Sequence, residues 1–300
     1  MDVLRVENLK KSFGKKQVLK NLSFAVPEHT VYGFVGRNGA GKSTTMKIAL
    51  GILAADEGSV YVLDEKVKYG NAKTNRVIGY LPDVPEYYDY MTAGEYLRFC
   101  GQLSGMNKKE IRERSGKLLE LVGLADEKKR VKGFSRGMKQ RLGVAQALLH
   151  KPKLLICDEP TSALDPLGRR ELLDILSAVK EETTVLFSTH ILSDVEQICD
   201  RVAVLEQGEI AVEGTIDEIK SAHGDGNVSL TLGNADAFDK LLTRFPELTR
   251  GMHHTLTLAQ PDQLPAVLRY IADENIPLIR LERGEVSLED LFLETIKGER

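Results

Sequence analysis

Gly36-Arg-Asn38-Gly39-Ala40-Gly41-Lys42-Ser43 fits G-x-x-x-x-G-K-[ST] at every fixed position. The pattern works only where a strand ends at the first glycine and a helix opens near the lysine. Its backbone N–H groups must converge on phosphate oxygens, with the helix N-terminus adding partial positive charge. The flanks comply: Val31–Val35 is a buried-strand run, and Thr44–Leu50 has the composition of a helix. The segment thus predicts a nucleoside triphosphate site, with Lys42 reaching the β- and γ-phosphates and the Ser43 hydroxyl on Mg²⁺.

Such a site requires a parallel sheet, and the chain has the strands for one. Leu154–Cys157, Thr184–Ser188 and Val202–Leu205 are branched, near-continuous apolar runs separated by helical stretches, as strands covered on both faces require. Residues 89–150 break this alternation. They read as a helical insertion, with Leu118, Leu119, Leu121 and Val122 as an apolar stripe and Lys108–Arg114 outside. Small polar residues and two glycines at 221–227 predict a linker. Beyond it, Val228–Leu232 and Thr255–Leu258 alternate with period two, and helices carry Leu241/Leu242 and Leu264/Val267/Leu268. Ser287-Leu-Glu-Asp290 is a capping-box start for a last helix with Leu288, Leu291, Phe292 and Ile296. At about 150 residues per domain, the 300 residues suit two domains: a nucleotide-binding domain at 1–220 and an accessory α/β domain at 228–300.

Composition removes several classes. With 42% hydrophobic and 28% charged residues the chain is neither disordered nor fibrous. A net charge of −3 predicts no nucleic-acid partner, which would call for a basic excess. No apolar run approaches the roughly 18 residues needed to span a bilayer, and Met1–Glu7 lacks the pattern of a signal peptide. Cys100, Cys157 and Cys199, odd in number and without C-x-x-C spacing, predict buried free thiols in a reducing cytosol.

Leu154-Leu-Ile-Cys-Asp158-Glu159 would deliver two carboxylates to the edge of a parallel sheet where ligands bind. Alone it could be a turn or helix cap. Downstream of a phosphate-binding loop it predicts Asp158 at Mg²⁺, usually through water, and Glu159 polarising the attacking water.

From these motifs residues 1–220 resemble the ATP-binding subunits of ABC transporters. Phe134-Ser135-Arg136-Gly137-Met138 is similar to the family's LSGGQ signature, Ser162-Ala-Leu-Asp165 to its D-loop, and Ser188-Thr-His190 to its switch-histidine segment. The resemblance implies a P-loop NTPase core with a mostly parallel sheet, an antiparallel β subdomain and a helical insertion. It implies ATP on Gly36, Asn38, Gly39, Ala40, Gly41, Lys42, Ser43 and Thr44. His190 would contact the γ-phosphate, and Glu159, His190 and Lys42 would be the catalytic group. Phe13 would stack on adenine, a core phenylalanine being the other reading. Ser135, Gly137 and Asp165 would act across a dimer, homo- or heteromeric, completing the second subunit's site.

Three residues in two motifs depart from the family pattern. Asp83 stands where glutamine is usual; its carboxylate can face water or Mg²⁺ but has no N–H₂ donor. Arg136 and Met138 replace commoner residues, and Arg136 either adds charge near the opposite nucleotide or caps the surface. Pro85-Glu-Tyr87-Tyr88-Asp-Tyr90 falls where the family receives a helix from its membrane subunit; the tyrosines either form that groove or pack internally. Gly284–Leu293 is similar to the C-terminal extension of bacterial ABC-2-type exporter ATPases, implying dimer support or regulation. The resemblance implies an ATPase on the cytoplasmic face of the cell membrane, driving export through separate permease subunits. Soluble relatives acting on ribosomes or DNA, and a low-turnover regulatory subunit, are the alternatives.

Overall fold

The structure is a computed structural model, and it describes residues 1–222, 228–233, 235–250, 255–258, 261–283 and 288. The chain divides into two compact units, Met1–Ile216 and Asp217–Arg300.

The first unit opens on a long antiparallel hairpin, β1 (Asp2–Phe13) and β2 (Lys16–Pro27), whose turn at Gly14 has φ 60. Then come β3 (Val31–Gly36), α1 (Lys42–Ala49), β4 (Glu57–Val62), β5 (Glu65–Lys66) and β6 (Ile78–Leu81). Three longer helices follow: α2 (Ala93–Leu103), α3 (Lys108–Leu121) and α4 (Arg136–Ala147). The unit continues through β7 (Leu154–Asp158), α5 (Pro166–Ala178), β8 (Thr184–Thr189), α6 (Leu192–Ile198), β9 (Arg201–Glu206) and β10 (Glu209–Thr215).

Two sheets result. One is antiparallel, in order β2-β1-β4-β5; the other has order β10-β9-β3-β8-β7-β6. In the second, β6, β7, β8, β3 and β9 run parallel, and only the edge strand β10 is antiparallel. Every residue of β3, β7 and β8 is buried, which is why these strands read as continuous apolar runs. Parallel strands share one C-terminal edge, so the segments after β3, β6, β7 and β8 all emerge on that side. The α/β reading, the antiparallel subdomain and the helical insertion are all present.

Some details differ from expectation. Leu118 and Val122 are buried one turn apart, but Leu121 is exposed, since at 100° per residue it falls off their face. Cys157 and Cys199 are buried, and burial pushes both thiols up, away from the reactive thiolate. Cys100 is only partly buried, though desolvation raises its thiol as well. Among the described residues no helix is long and apolar enough to cross a membrane.

Helix α7 (Ile216–Ala222) leads into the second unit. This unit contains β11 (Val228–Leu232), α8 (Ala235–Arg244), β12 (Leu248–Arg250), β13 (Thr255–Leu258), α9 (Leu264–Asp273) and β14 (Leu278–Arg283). Its antiparallel sheet has order β12-β13-β11-β14. Period two in β11 is literal: Val228, Leu230 and Leu232 are buried with Leu241 and Val267, while Ser229 and Thr231 face out. Of the expected linker at 221–227, Ser221 and Ala222 close α7, and residues 223–227 lie outside the described residues. So does the expected last helix, apart from Leu288, which is buried.

Candidate functional site

The turn from β3 into α1 is built for close approach. Gly41 has φ 119, and a Cβ there would lie 2.5 Å from the Leu19 side chain. At Gly36 a Cβ would come within 2.5 Å of the Leu205 carbonyl oxygen. Both positions therefore accept only glycine. No side chain caps the start of α1, which leaves its N-terminal N–H groups facing the loop. Ala40 is buried, while Arg37, Asn38 and Gly39 are exposed and, with Lys16 and Lys20, line an open cavity of about 410 Å³. Three cations against one carboxylate, Glu206, give its wall a positive balance that suits an anionic ligand.

Five predicted residues meet at the shared sheet edge. Lys42 is buried; its Nζ donates to the carbonyls of Gly36 at 2.5 Å and Arg37 at 3.3 Å and pairs with Glu159 Oε1 at 3.0 Å. Glu159 Oε2 lies 2.8 Å from His190 Nδ1. A second chain runs beside the first: Ser43 Oγ donates to Asp158 Oδ1 at 3.1 Å, and Ser188 Oγ donates to the same oxygen at 2.8 Å. Glu159 has φ 48, a left-handed conformation that costs a non-glycine residue about 1–3 kcal/mol. Its N–H is fixed by the Ser188 carbonyl and hydroxyl, each at 3.1 Å, so the strain is held by neighbouring β8. Burial, and then the charge of Asp158, push the nearby Tyr80 phenol up to about 12.

The remaining predicted residues are engaged elsewhere. Thr44 is half-buried on α1. Phe13, at the end of β1, is 50% exposed, which rules out the core reading, and Lys11 Nζ lies 5.5 Å from its ring centroid. Ser135 caps α4, its Oγ accepting from Met138 N at 3.2 Å, and Gly137 sits in the open first turn. Asp165 caps α5 by accepting from Gly168 N at 3.0 Å. The Asp83 carboxylate, expected to face water or Mg²⁺, accepts from the Ser162 hydroxyl at 2.8 Å. Tyr87 packs internally, edge-on to Tyr96 and donating to the Lys139 carbonyl at 2.5 Å, whereas Tyr88 and Tyr90 are exposed.

Sequence reasoning missed a buried cluster beside the site. Asp194, 1% exposed, accepts from Thr161 Oγ1 at 2.7 Å and is paired with Arg169. The available signal was an aspartate in the apolar phase of α6, with Val195 and Ile198 buried around it.

A parallel sheet that gathers a glycine-loop lysine, adjacent Asp and Glu, and a histidine at one edge defines a P-loop nucleoside triphosphatase. Comparison with known proteins narrows the class. Residues 19–162 match the family described as ABC transporter, and residues 214–296 match the ATP-binding protein DrrA1-3-like C-terminal domain. The chain is 41% identical to the ABC transporter ATP-binding protein YxlF of Bacillus subtilis, over 98% of this chain and 99% of the other. It is 33% identical to the bacitracin transport ATP-binding protein BcrA of Bacillus licheniformis, over 99% and 98%. A solved ATP-binding subunit of an ABC transporter superposes with TM-score 0.66 at 32% identity, covering 74% of this chain and 93% of that one. The chain belongs to the ATP-binding subunits of ABC transporters, in the ABC-2-type exporter group, and is an ATPase.

The buried lysine gives one direct expectation. Lys42→Ala should weaken equilibrium ATP binding by about 2 kcal/mol or more, roughly thirtyfold, the lower range for losing one partner of a buried charge pair. Titration with a fluorescent nucleotide reads this, and unchanged affinity would remove Lys42 from the phosphate site.

Proposed function

We propose that this chain is the ATP-driven half of an exporter: two ATPase subunits, identical or related, close on two ATP and move separate permease subunits on the cytoplasmic face of the membrane. The observation that carries the reading is the linked series Lys42–Glu159–His190, which sets a cation, a carboxylate and an imidazole in line beside the glycine loop.

In this reading Gly36, Asn38, Gly39, Ala40, Gly41 and Thr44 wrap the phosphates, and Phe13 stacks on the base from its exposed position. Lys42 offsets charge on the β- and γ-phosphates. Glu159 orients and deprotonates the attacking water, and His190, held by Glu159, contacts the γ-phosphate. Ser135, Gly137 and Asp165 serve the site of the opposite subunit. Ser43 Oγ and Asp158 Oδ1, hard oxygens 3.1 Å apart, fit a Mg²⁺ completed by phosphates and water. Its chemistry there is charge neutralisation on the phosphates. Residues 1–220 form the ATPase domain and 228–300 the accessory domain. Exposed Tyr88 and Tyr90 offer amphipathic surface to a permease helix, and with a net charge of −3 no nucleic-acid partner is proposed.

The test uses Glu159→Gln protein, which should retain bound ATP. With saturating MgATP its mass by light scattering should double, and tagged wild-type protein should co-purify with a polytopic protein from detergent-solubilised membranes. A monomer under those conditions rejects the closed dimer; recovery without any membrane protein rejects the transport partner.

A further inference from the structure

Two of the three residues that break the family pattern, Asp83 and Arg136, face each other. Asp83 follows β6, and its backbone carbonyl accepts from the buried Gln140 side chain of α4 at 2.6 Å. Its carboxylate accepts from Ser162 Oγ at 2.8 Å and lies 3.9 Å from the Arg136 guanidinium. Asp83 thus touches the first turn of α4 and the loop that begins at Glu159.

Arg136 is out of place by local rules. It is the first residue of α4, where the helix already presents positive partial charge, and no acidic residue stands in that turn. Such a conflict between local preference and sequence marks a position set by something outside the helix. Asp83 supplies the missing anion. Met138 N is capped by Ser135, so the pair leaves the geometry of the Ser135–Gly137 turn intact.

We propose that Asp83 is a positioning residue that, through Arg136 and Ser162, sets the Ser135–Gly137 turn and the 159–165 loop in register for the nucleotide of a second subunit. This rests on the composite-site reading above. The two side chains are 51% and 49% exposed, so their attraction is modest and screened by salt.

The experiment measures steady-state hydrolysis by the full chain at low and high salt. Asp83→Asn and Arg136→Asp should each lower kcat about two- to fivefold at low salt, the scale of an exposed ion pair, with KM for ATP unmoved. The reciprocal exchange, Asp83→Arg with Arg136→Asp, should turn over at least about twofold faster than Asp83→Arg or Arg136→Asp alone. It should stop short of wild type because arginine cannot accept from Ser162 Oγ. High salt should close the gap between Arg136→Asp and wild type. An exchange no better than its single variants, or a deficit indifferent to salt, overturns the proposal. A raised Mg²⁺ requirement in Asp83→Asn also overturns it, returning the carboxylate to the cation. ATP-dependent dimerisation of the Glu159→Gln parent separates the two readings. If it fails, the composite site falls and this assignment with it; if it succeeds while the exchange fails to rescue, only this assignment falls.

Discussion

Glu159→Gln is expected to cut ATP turnover by about 10²–10⁴-fold, the usual contribution of a positioned general base. The argument is geometric. The backbone of Glu159 is held in a left-handed conformation by two bonds from its N–H to Ser188, and its two oxygens face Lys42 and His190. Glutamine keeps the shape, and its amide can turn its oxygen to the Lys42 ammonium and its N–H₂ to the imidazole. Only the proton-accepting carboxylate is lost. Folding and equilibrium ATP binding should therefore survive, which separates this variant from Lys42→Ala, whose deficit lies at binding. Single-turnover phosphate release with prebound MgATP measures the step. Turnover within about tenfold of wild type would take Glu159 out of the role.

How much of this could be read in the chain depends on how local each signal is. The glycine loop is eight consecutive residues whose chemistry needs no distant partner, so Gly36–Ser43 could be placed directly. Asp158–Glu159 could be read only because a phosphate loop gave the carboxylates a purpose. His190 needed the family resemblance. Its closeness to Glu159 follows from β8 lying between β3 and β7, a strand order that no periodicity specifies. Ser188 was quoted as part of a motif, yet its bonds to Asp158 and Glu159 come from parallel pairing that places it opposite Asp158. The cluster at Asp83 joins residues up to 79 positions apart, through a carboxylate that the family resemblance set toward water or Mg²⁺. Three-dimensional crossovers decide such contacts, and the pattern of apolar residues fixes only which faces are buried.

The buried cluster carries the other large expected effect. Asp194→Ala should lower the stability of the first unit by about 3 kcal/mol, the lower end for breaking a buried charge pair, because the Arg169 side chain is 29% exposed and partly hydrated. The carboxylate binds Thr161 Oγ1 and Arg169 together, and Arg169 Nη2 also donates to Ser193 Oγ at 3.0 Å. Removing it leaves a buried hydroxyl and a guanidinium without their acceptor. Asp194→Asn retains acceptance from Thr161 but not the charge and should fall between wild type and alanine. Exchanging Asp194 and Arg169 together for leucine should recover part of the loss, since apolar replacement of a buried pair is often neutral. The chain has no tryptophan, so urea unfolding is followed by circular dichroism, reading a lower midpoint at constant slope. Thr161 lies two residues beyond Glu159 and Asp194 four beyond His190, so the triad anchors the chain just past both members of the 2.8 Å contact at the site. An unchanged midpoint in Asp194→Ala would mean that this contact is held by the sheet edge alone.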